Sequence, residues 1–262
     1  MRTHKHLPLN MLNGIQRKTI ADMHRSGVRS LQQIVSMSPD ELQQFYGIKS
    51  TAHRFHAQAR AWVHDEAVRY ADLSPVCLRD AWYFDIETVV GTPEEGQVWS
   101  IGYSKGDSKT SAIMVDAAMH APKHTLAHGH HIHYVPDYTA AWELFALIAN
   151  TDDEPLFHWS GYDAGNMRTW APGVYEQLKP RLFDLSRIFS RTVQIPRRGV
   201  SLKVVAPYLG FEWQAYDDWF FAWQDYRHWL RSRDETRLVQ LSHYQADDVL
   251  AMIVIRDWLV GL

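Results

Sequence analysis

Ala81-Trp82-Tyr83-Phe84-Asp85-Ile86-Glu87-Thr88 is an apolar, aromatic-rich run interrupted by two carboxylates spaced two residues apart. Aromatic and β-branched residues favour a strand, and in a strand alternate side chains share a face, so Asp85 and Glu87 project together. Downstream, Val98 to Tyr103 and Ser111 to Val115 read as two further strands, with Lys105-Gly106-Asp107 suited to the hairpin between them. A helix from about Thr139 to Ala149 follows, and then a strand at Pro155 to Trp159. The order β-β-β-α-β predicts an α/β domain built on a mixed sheet.

Two anions ~7 Å apart on a partly buried strand face repel each other and lose hydration. Cations remove both penalties, and hard oxygen ligands select Mg²⁺ or Mn²⁺. The alternative is an edge strand with both carboxylates solvated. Two later segments add to the pair. His158-Trp159-Ser160-Gly161-Tyr162-Asp163 ends a strand and leads into Ala164-Gly165-Asn166-Met167, read as a helix start with Asp163 as ligand or as simple N-terminal cap. Tyr244-Gln245-Ala246-Asp247-Asp248-Val249 opens an apolar helix running to about Leu259. Tyr244 and Asp248, four apart, share its buried stripe with Ala251, Met252, Ile255, Trp258 and Leu259, whereas Asp247 is expected ~100° away, toward solvent.

These motifs resemble the DEDD superfamily of 3′→5′ exonucleases, in its tyrosine-bearing subclass. Arg181-Leu182-Phe183-Asp184-Leu185, Ser201-Leu202-Lys203, Leu209-Gly210-Phe211 and the YQADDV motif resemble its YprB-type ribonuclease-H-like branch. The resemblance covers residues 81–262. It implies a ribonuclease-H-like mixed sheet flanked by helices, and Asp85, Glu87, Asp163 and Asp248 as ligands of two divalent ions, Mg²⁺ or Mn²⁺. It also implies that Tyr244 positions the attacking water. Asp247 competes with Asp248 for the last ligand position. The second motif departs from the family pattern: many relatives carry Asn or His a few residues before an aromatic-Asp pair, and here His158 stands in the HWSGYD sequence.

The first 66 residues read as short helices. Ser38-Pro39-Asp40-Glu41 is a helix start with Ser38 as N-cap, Pro39 at N1 and Glu41 set to close a capping box, in a helix ending near Phe45. Tyr46-Gly47-Ile48 and Lys49-Ser50-Thr51 lead into a helix from about Ala52 to Ala67, and Leu12-Asn13-Gly14-Ile15 opens a similar unit whose helix, Gln16 to Arg25, stops at Gly27. Residues 10–64 thus resemble a tandem helix-hairpin-helix module, an all-α domain over 1–66. Gly14, Gly47, Lys49, Ser50 and Thr51 are its candidate phosphate contacts, which would hold a nucleic-acid backbone without reading sequence. The alternative is a helical bundle whose Gly-Ile turns are only turns. Residues 67–80 read as a linker broken by Ser74-Pro75, and 81–262 as the exonuclease domain.

The charge pattern agrees with this division. Residues 1–70 hold ten Lys/Arg against five Asp/Glu, and residues 71–262 hold seventeen against twenty-five, within a net charge of −3. No apolar run approaches the ~20 residues of a membrane span. A single cysteine, Cys77, excludes an internal disulfide and fits a reducing, cytoplasmic setting. DNA is the favoured partner and RNA the alternative, with no membrane; a binding protein without catalysis, or a scaffold for a protein partner, are the rival classes. His120, His124, His128, His130, His131 and His133 read as a polar loop rather than a zinc site. Arg197-Arg198 reads equally as a phosphate contact or a solvated turn. Trp213, Trp219, Trp223 and Trp229 with Phe220 and Phe221 read chiefly as packing, with base stacking as the alternative. Asp184 is a motif position by resemblance, with local hydrogen bonding as its simplest role.

Overall fold

The computed structural model describes residues 6–107, 109–119, 124–126, 129–216 and 218–262, with only the backbone at 124 and 125. The chain divides into two compact units. One comprises residues 1–73 with 187–205 and residue 262, the other 74–186 with 206–261.

The first unit is helical: α1 (Arg17–Arg25), α2 (Leu31–Val35), α3 (Pro39–Leu42) and α4 (Ala52–His64). Leu12, Met23, Leu31, Ile34, Leu42, Phe45, Ile48 and Phe55 form its buried core. The capping box at α3 is present in both halves, with Ser38 Oγ accepting from Glu41 N at 3.2 Å and Glu41 Oε2 accepting from Ser38 N at 2.6 Å. Ser38→Ala should therefore cost about 1 kcal/mol, seen as a lower urea midpoint for this unit. Helix α4 stops earlier than expected, because Asp65 takes a left-handed conformation (φ 56°) and ends the hydrogen-bond ladder. Beyond it, β1 (Val68–Arg69) pairs antiparallel with β9 (Val193–Gln194), a short strand inside the segment read as linker joined to one the sequence did not indicate.

Gly14 and Gly47 both sit at positive φ (+79° and +74°), as a tight hairpin before a helix requires. The residue before each glycine is held by a side chain from the other hairpin's helix. Asn13 N donates to Gln58 Oε1 on α4 (2.9 Å), and Tyr46 N donates to Asp22 Oδ2 on α1 (2.9 Å). This exchange ties each glycine turn to the helix that follows the other.

The second unit holds β2 (Trp82–Thr88), β3 (Val98–Ser104), β4 (Ser111–Val115), β5 (His124–Thr125), β6 (His131–Val135), α5 (Tyr138–Ala149), β7 (Leu156–His158), α6 (Gly161–Trp170), α7 (Pro172–Leu178) and β8 (Leu182–Asp184). Helices α8 (Leu185–Thr192) and α9 (Leu202–Tyr208) follow at the ends of the 187–205 segment, then α10 (Trp219–Ser232) and α11 (Glu235–Gly261). Seven strands form one mixed sheet in the order β5-β6-β4-β3-β2-β7-β8, with β2 antiparallel to β3 and parallel to β7. Trp82, Phe84 and Ile86 face α5, packing with Trp142 and Phe145. On the opposite face Trp99, Met114, Ile132 and Tyr134 pack with Trp223, Tyr226 and Trp229 of α10 and Leu238, Leu241 and Tyr244 of α11. The sheet therefore lies between helices on both faces, the expected α/β class. Trp223 and Trp229 are packing residues, as read from the sequence.

The histidine-rich segment is not simply a loop. His131 and His133 lie on β6, which pairs parallel with β4, while Ile132 and Tyr134 point into the core. The alternation His-Ile-His-Tyr is a period-two strand signal. His130 is buried and hydrogen-bonds Thr110 Oγ1 at 2.5 Å. His120 and His128, and the side chain of His124, lie outside the described residues. Among the described residues, no helix is long and apolar enough to cross a membrane.

Candidate active site

Strand β2 presents Asp85 and Glu87 on the face covered by α11, opposite the face that carries Phe84 and Ile86 into the core. A register irregularity falls between Glu87 and Thr88, the kind of local break that re-aims a strand end. Helix α11 brings Asp248 and Tyr244 to the same place. One carboxylate oxygen from each of Asp85, Glu87 and Asp248 lies within 4.8 Å of the others. Like charges at that separation repel by about 3–4 kcal/mol per pair at an effective dielectric constant of ~20. Glu87 and Asp248 are buried and Asp85 is half-buried, so water screens the trio poorly.

Tyr244 is buried and hydrogen-bonds Glu87. Burial, followed by the charges of Glu87, Asp248 and Asp85, raises its pKa far above the ordinary phenol range. The hydroxyl is thus locked in its protonated form near neutral pH and donates to Glu87, keeping its lone pairs for another donor.

Helix α11 can approach this closely because β3 has no side chain at Gly102, which pairs with Asp85. A Cβ on Gly102 would lie 2.4 Å from Gln245 Cγ. Gln245 in turn donates through Nε2 to the Asp85 carbonyl and to Oδ2, each at 3.3 Å, linking helix to strand at the site.

Trp213 Nε1 donates to Asp248 Oδ1 at 2.8 Å, so this tryptophan does more than pack. Asp247 does not face solvent as its rotation on the helix predicts. The 213–215 segment covers it, and its Oδ2 accepts from Gln214 N at 2.6 Å and Ala215 N at 3.3 Å. Burial raises its pKa and those two backbone donors partly offset the rise. Asp247 anchors the segment that carries Trp213 and is absent from the carboxylate trio.

Asp163 occupies the first turn of α6, where the cap is Ser160 rather than Asp163 itself. It is buried and does not join all three other carboxylates within 4.8 Å. Its carboxylate accepts from the backbone N–H of Ile86, the residue between Asp85 and Glu87, while Oδ2 has no hydrogen-bond partner. Burial raises its pKa. His158 Nδ1 lies 3.7 Å from Oδ2 but donates instead to the Ser160 carbonyl at 2.6 Å, which requires the proton on Nδ1.

Ser160 itself has φ 76° and ψ 175°, a conformation rarely adopted outside glycine. Three bonds hold it there. Its N–H donates to Asp184 Oδ1 (3.2 Å), its carbonyl accepts from His158, and its Oγ accepts from Tyr162 N (3.3 Å). Asp184, which also accepts from Ser186 Oγ at 2.6 Å, thus serves the turn that delivers Asp163.

A cleft of about 440 Å³ opens beside Glu87, lined by Ile86, Glu87, Thr88, Val90, Tyr162 and Trp219. Trp219, Phe220 and Phe221 are each about half exposed, unlike the packed tryptophans further along α10. In the helical unit, Gly47, Lys49 and Ser50 are exposed at the second hairpin and Gly14 at the first; Thr51 is half-buried and its hydroxyl is turned to the Ile48 carbonyl.

Residues 82–260 match a family model described as RNase_H superfamily. The match spans well over half of the chain, and the protein belongs to the ribonuclease H superfamily. No curated protein matches the sequence. Membership points to a nuclease domain acting on nucleic acid, in a superfamily whose nucleases use divalent metals.

Proposed function

We propose that the protein is a metal-dependent 3′→5′ exonuclease of the tyrosine-bearing DEDD type, acting on single-stranded DNA. The observation that carries this reading is the convergence of Asp85, Glu87 and Asp248 within 4.8 Å under a buried tyrosine. The donor set fits two divalent cations: three crowded carboxylates, plus an Asp163 oxygen buried without a hydrogen-bond partner. Asp85, Glu87, Asp248 and Asp163 would hold the ions, which when bound supply charge neutralisation and Lewis acidity toward the scissile phosphate and the attacking water.

The chain's own residues supply the rest. Tyr244, fixed by Glu87, accepts a hydrogen bond from the water and aims it in line with the leaving 3′ oxygen. Trp213 donates to Asp248 Oδ1 and so restrains the orientation of the carboxylate that joins the trio. Tyr162 and Trp219 border the cleft with aromatic faces on which an unpaired terminal base can stack. Hairpins at Gly14 and Gly47, with Lys49 and Ser50, hold the sugar–phosphate backbone, whereas Thr51 turns its N–H and hydroxyl to the Ile48 carbonyl and stabilises the turn instead. The separate helical composition of 1–66 supports a module of that kind.

Tyr244→Phe is expected to lower kcat about 10²-fold while leaving Mn²⁺ binding within twofold of wild type, as read by single-turnover kinetics beside calorimetry. The activity itself is tested with 5′-labelled single strands of DNA and of RNA in Mg²⁺, Mn²⁺ or EDTA. A metal-dependent ladder shortening from the 3′ end of DNA supports the proposal. Preference for RNA would make this an RNA 3′-end nuclease, and salt-sensitive binding without cleavage would make it a binding protein.

A further inference from the structure

The helical unit is more basic than the N-terminal sequence alone indicates. With Arg187–Val205 included, its residues carry fifteen Lys/Arg against six Asp/Glu, while the remainder carries twelve against twenty-four. The added segment holds Arg187, Arg191, Arg197, Arg198 and Lys203 and no acidic residue.

This segment is tied to the helical unit at two places. Strand β9 pairs with β1, and Tyr70 Oη donates to the Ser190 carbonyl at 2.6 Å. Further on, the Asn13 side chain clamps the arginine loop from both sides, Nδ2 donating to the Arg197 carbonyl (3.2 Å) and Oδ1 accepting from Gly199 N (3.2 Å). Asn13 belongs to the first hairpin, so the clamp sets Arg197 and Arg198 beside Gly14. Arg54 approaches the same turn: a Cβ on Gly14 would lie 3.3 Å from its Nη2. Arg198 is exposed, and Arg197 is 48% exposed, with Asp65 its 3.9 Å ion-pair partner in solvent. Such an exposed pair is screened by water and exchanges readily for a phosphate.

We infer that the Arg197-Arg198-Gly199 loop and the first hairpin form one phosphate-binding edge, with Arg54 at its base, that grips the backbone of the nucleic acid. The sequence distance between Asn13 and Arg197 hides this edge. The inference rests on the proposed function for its ligand, and it adds a binding surface contributed by a segment that lies, in sequence, inside the nuclease domain. Contacts of this kind are indifferent to base sequence and strongly dependent on salt.

The test is fluorescence anisotropy of a labelled single-stranded oligonucleotide in EDTA, titrated at salt from ~50 to ~200 mM. Arg197→Gln/Arg198→Gln should bind about tenfold more weakly and lower the log–log salt slope by about 1.4, roughly 0.7 for each phosphate of a single strand no longer neutralised. Arg197→Lys/Arg198→Lys should keep the slope, and circular dichroism should show all three proteins equally folded. An unchanged affinity and slope in the Gln variant would overturn the inference even where wild type hydrolyses DNA. Salt-dependent binding that falls in the Gln variant, in a wild type that cleaves nothing, would sustain this surface and remove the proposed chemistry. A wild type that binds no nucleic acid would remove both.

Discussion

Asp85→Asn is expected to lower hydrolysis at least ~10³-fold, about 4 kcal/mol of barrier, while raising the melting temperature of the metal-free protein. The two effects have one cause. Asp85, Glu87 and Asp248 place three carboxylate oxygens within 4.8 Å of one another, an arrangement that costs stability until cations neutralise it. Asparagine keeps the shape and still accepts from Gln245, which reaches both the Asp85 carbonyl and its side chain, but it removes one charge. Neutralising Asp85 removes two of the three repulsions and should raise the melting temperature in EDTA by several degrees. Addition of Mn²⁺ should then stabilise wild type strongly and the variant little, since only a ligand that binds the folded state raises its stability. A purely structural aspartate would give the opposite signs: loss of stability on substitution, and no dependence on metal.

Gly102→Ala should be the most damaging single-methyl change in the nuclease unit. A Cβ there would lie 2.4 Å from Gln245 Cγ, 2.7 Å from Nε2 and 2.9 Å from Cδ. The nearest atom is close to the helix backbone, so rotation of the amide alone cannot relieve the contact. Helix α11 must shift from β3, carrying Tyr244 and Asp248 away from Asp85 and Glu87. Overpacking of this kind costs ~2–3 kcal/mol, and displacement of the ligands by ~1 Å lowers the rate a further ~10²-fold. Gln245→Ala in the same chain should restore most of the stability, because it removes the clashing atoms. The coupling is read from a double-mutant cycle in urea unfolding and in rate. Independent, additive losses would show that the close approach of helix and strand does not set the site.

The elements that were legible in the sequence are those whose pattern is local and long. Strand β2 is a continuous aromatic-rich run and the C-terminal part of α11 a continuous apolar one, and they bring together the three carboxylates and Tyr244; α11 starts at Glu235, nine residues before the start read from the sequence. Shorter features carried too little pattern: α2 spans five residues and β8 three. Strand β6 was written in its alternation but masked by the density of histidines, which reads as polar loop.

Other features depend on distant chain. Asp247 faces outward from its helix by rotation alone, and only the later packing of residues 213–215 buries it. The grouping of residues 187–205 with the helical unit depends on a two-residue strand pair and on Asn13, neither of which has a sequence signature. Ser160 illustrates the same limit at the site itself, since a serine in a glycine-like conformation is intelligible only once Asp184 and His158 are seen holding it.

The central claim is that these carboxylates are a divalent-metal site, and titration of Mn²⁺ by electron paramagnetic resonance tests it without requiring a substrate. Free Mn²⁺ gives the signal, so bound ions are counted by its loss. Wild type is predicted to bind two ions per chain when a nucleotide monophosphate occupies the cleft, with Asp85→Asn and Asp248→Asn each losing at least one. Binding that is absent in wild type up to millimolar Mn²⁺, or equal in all three proteins, would contradict the account.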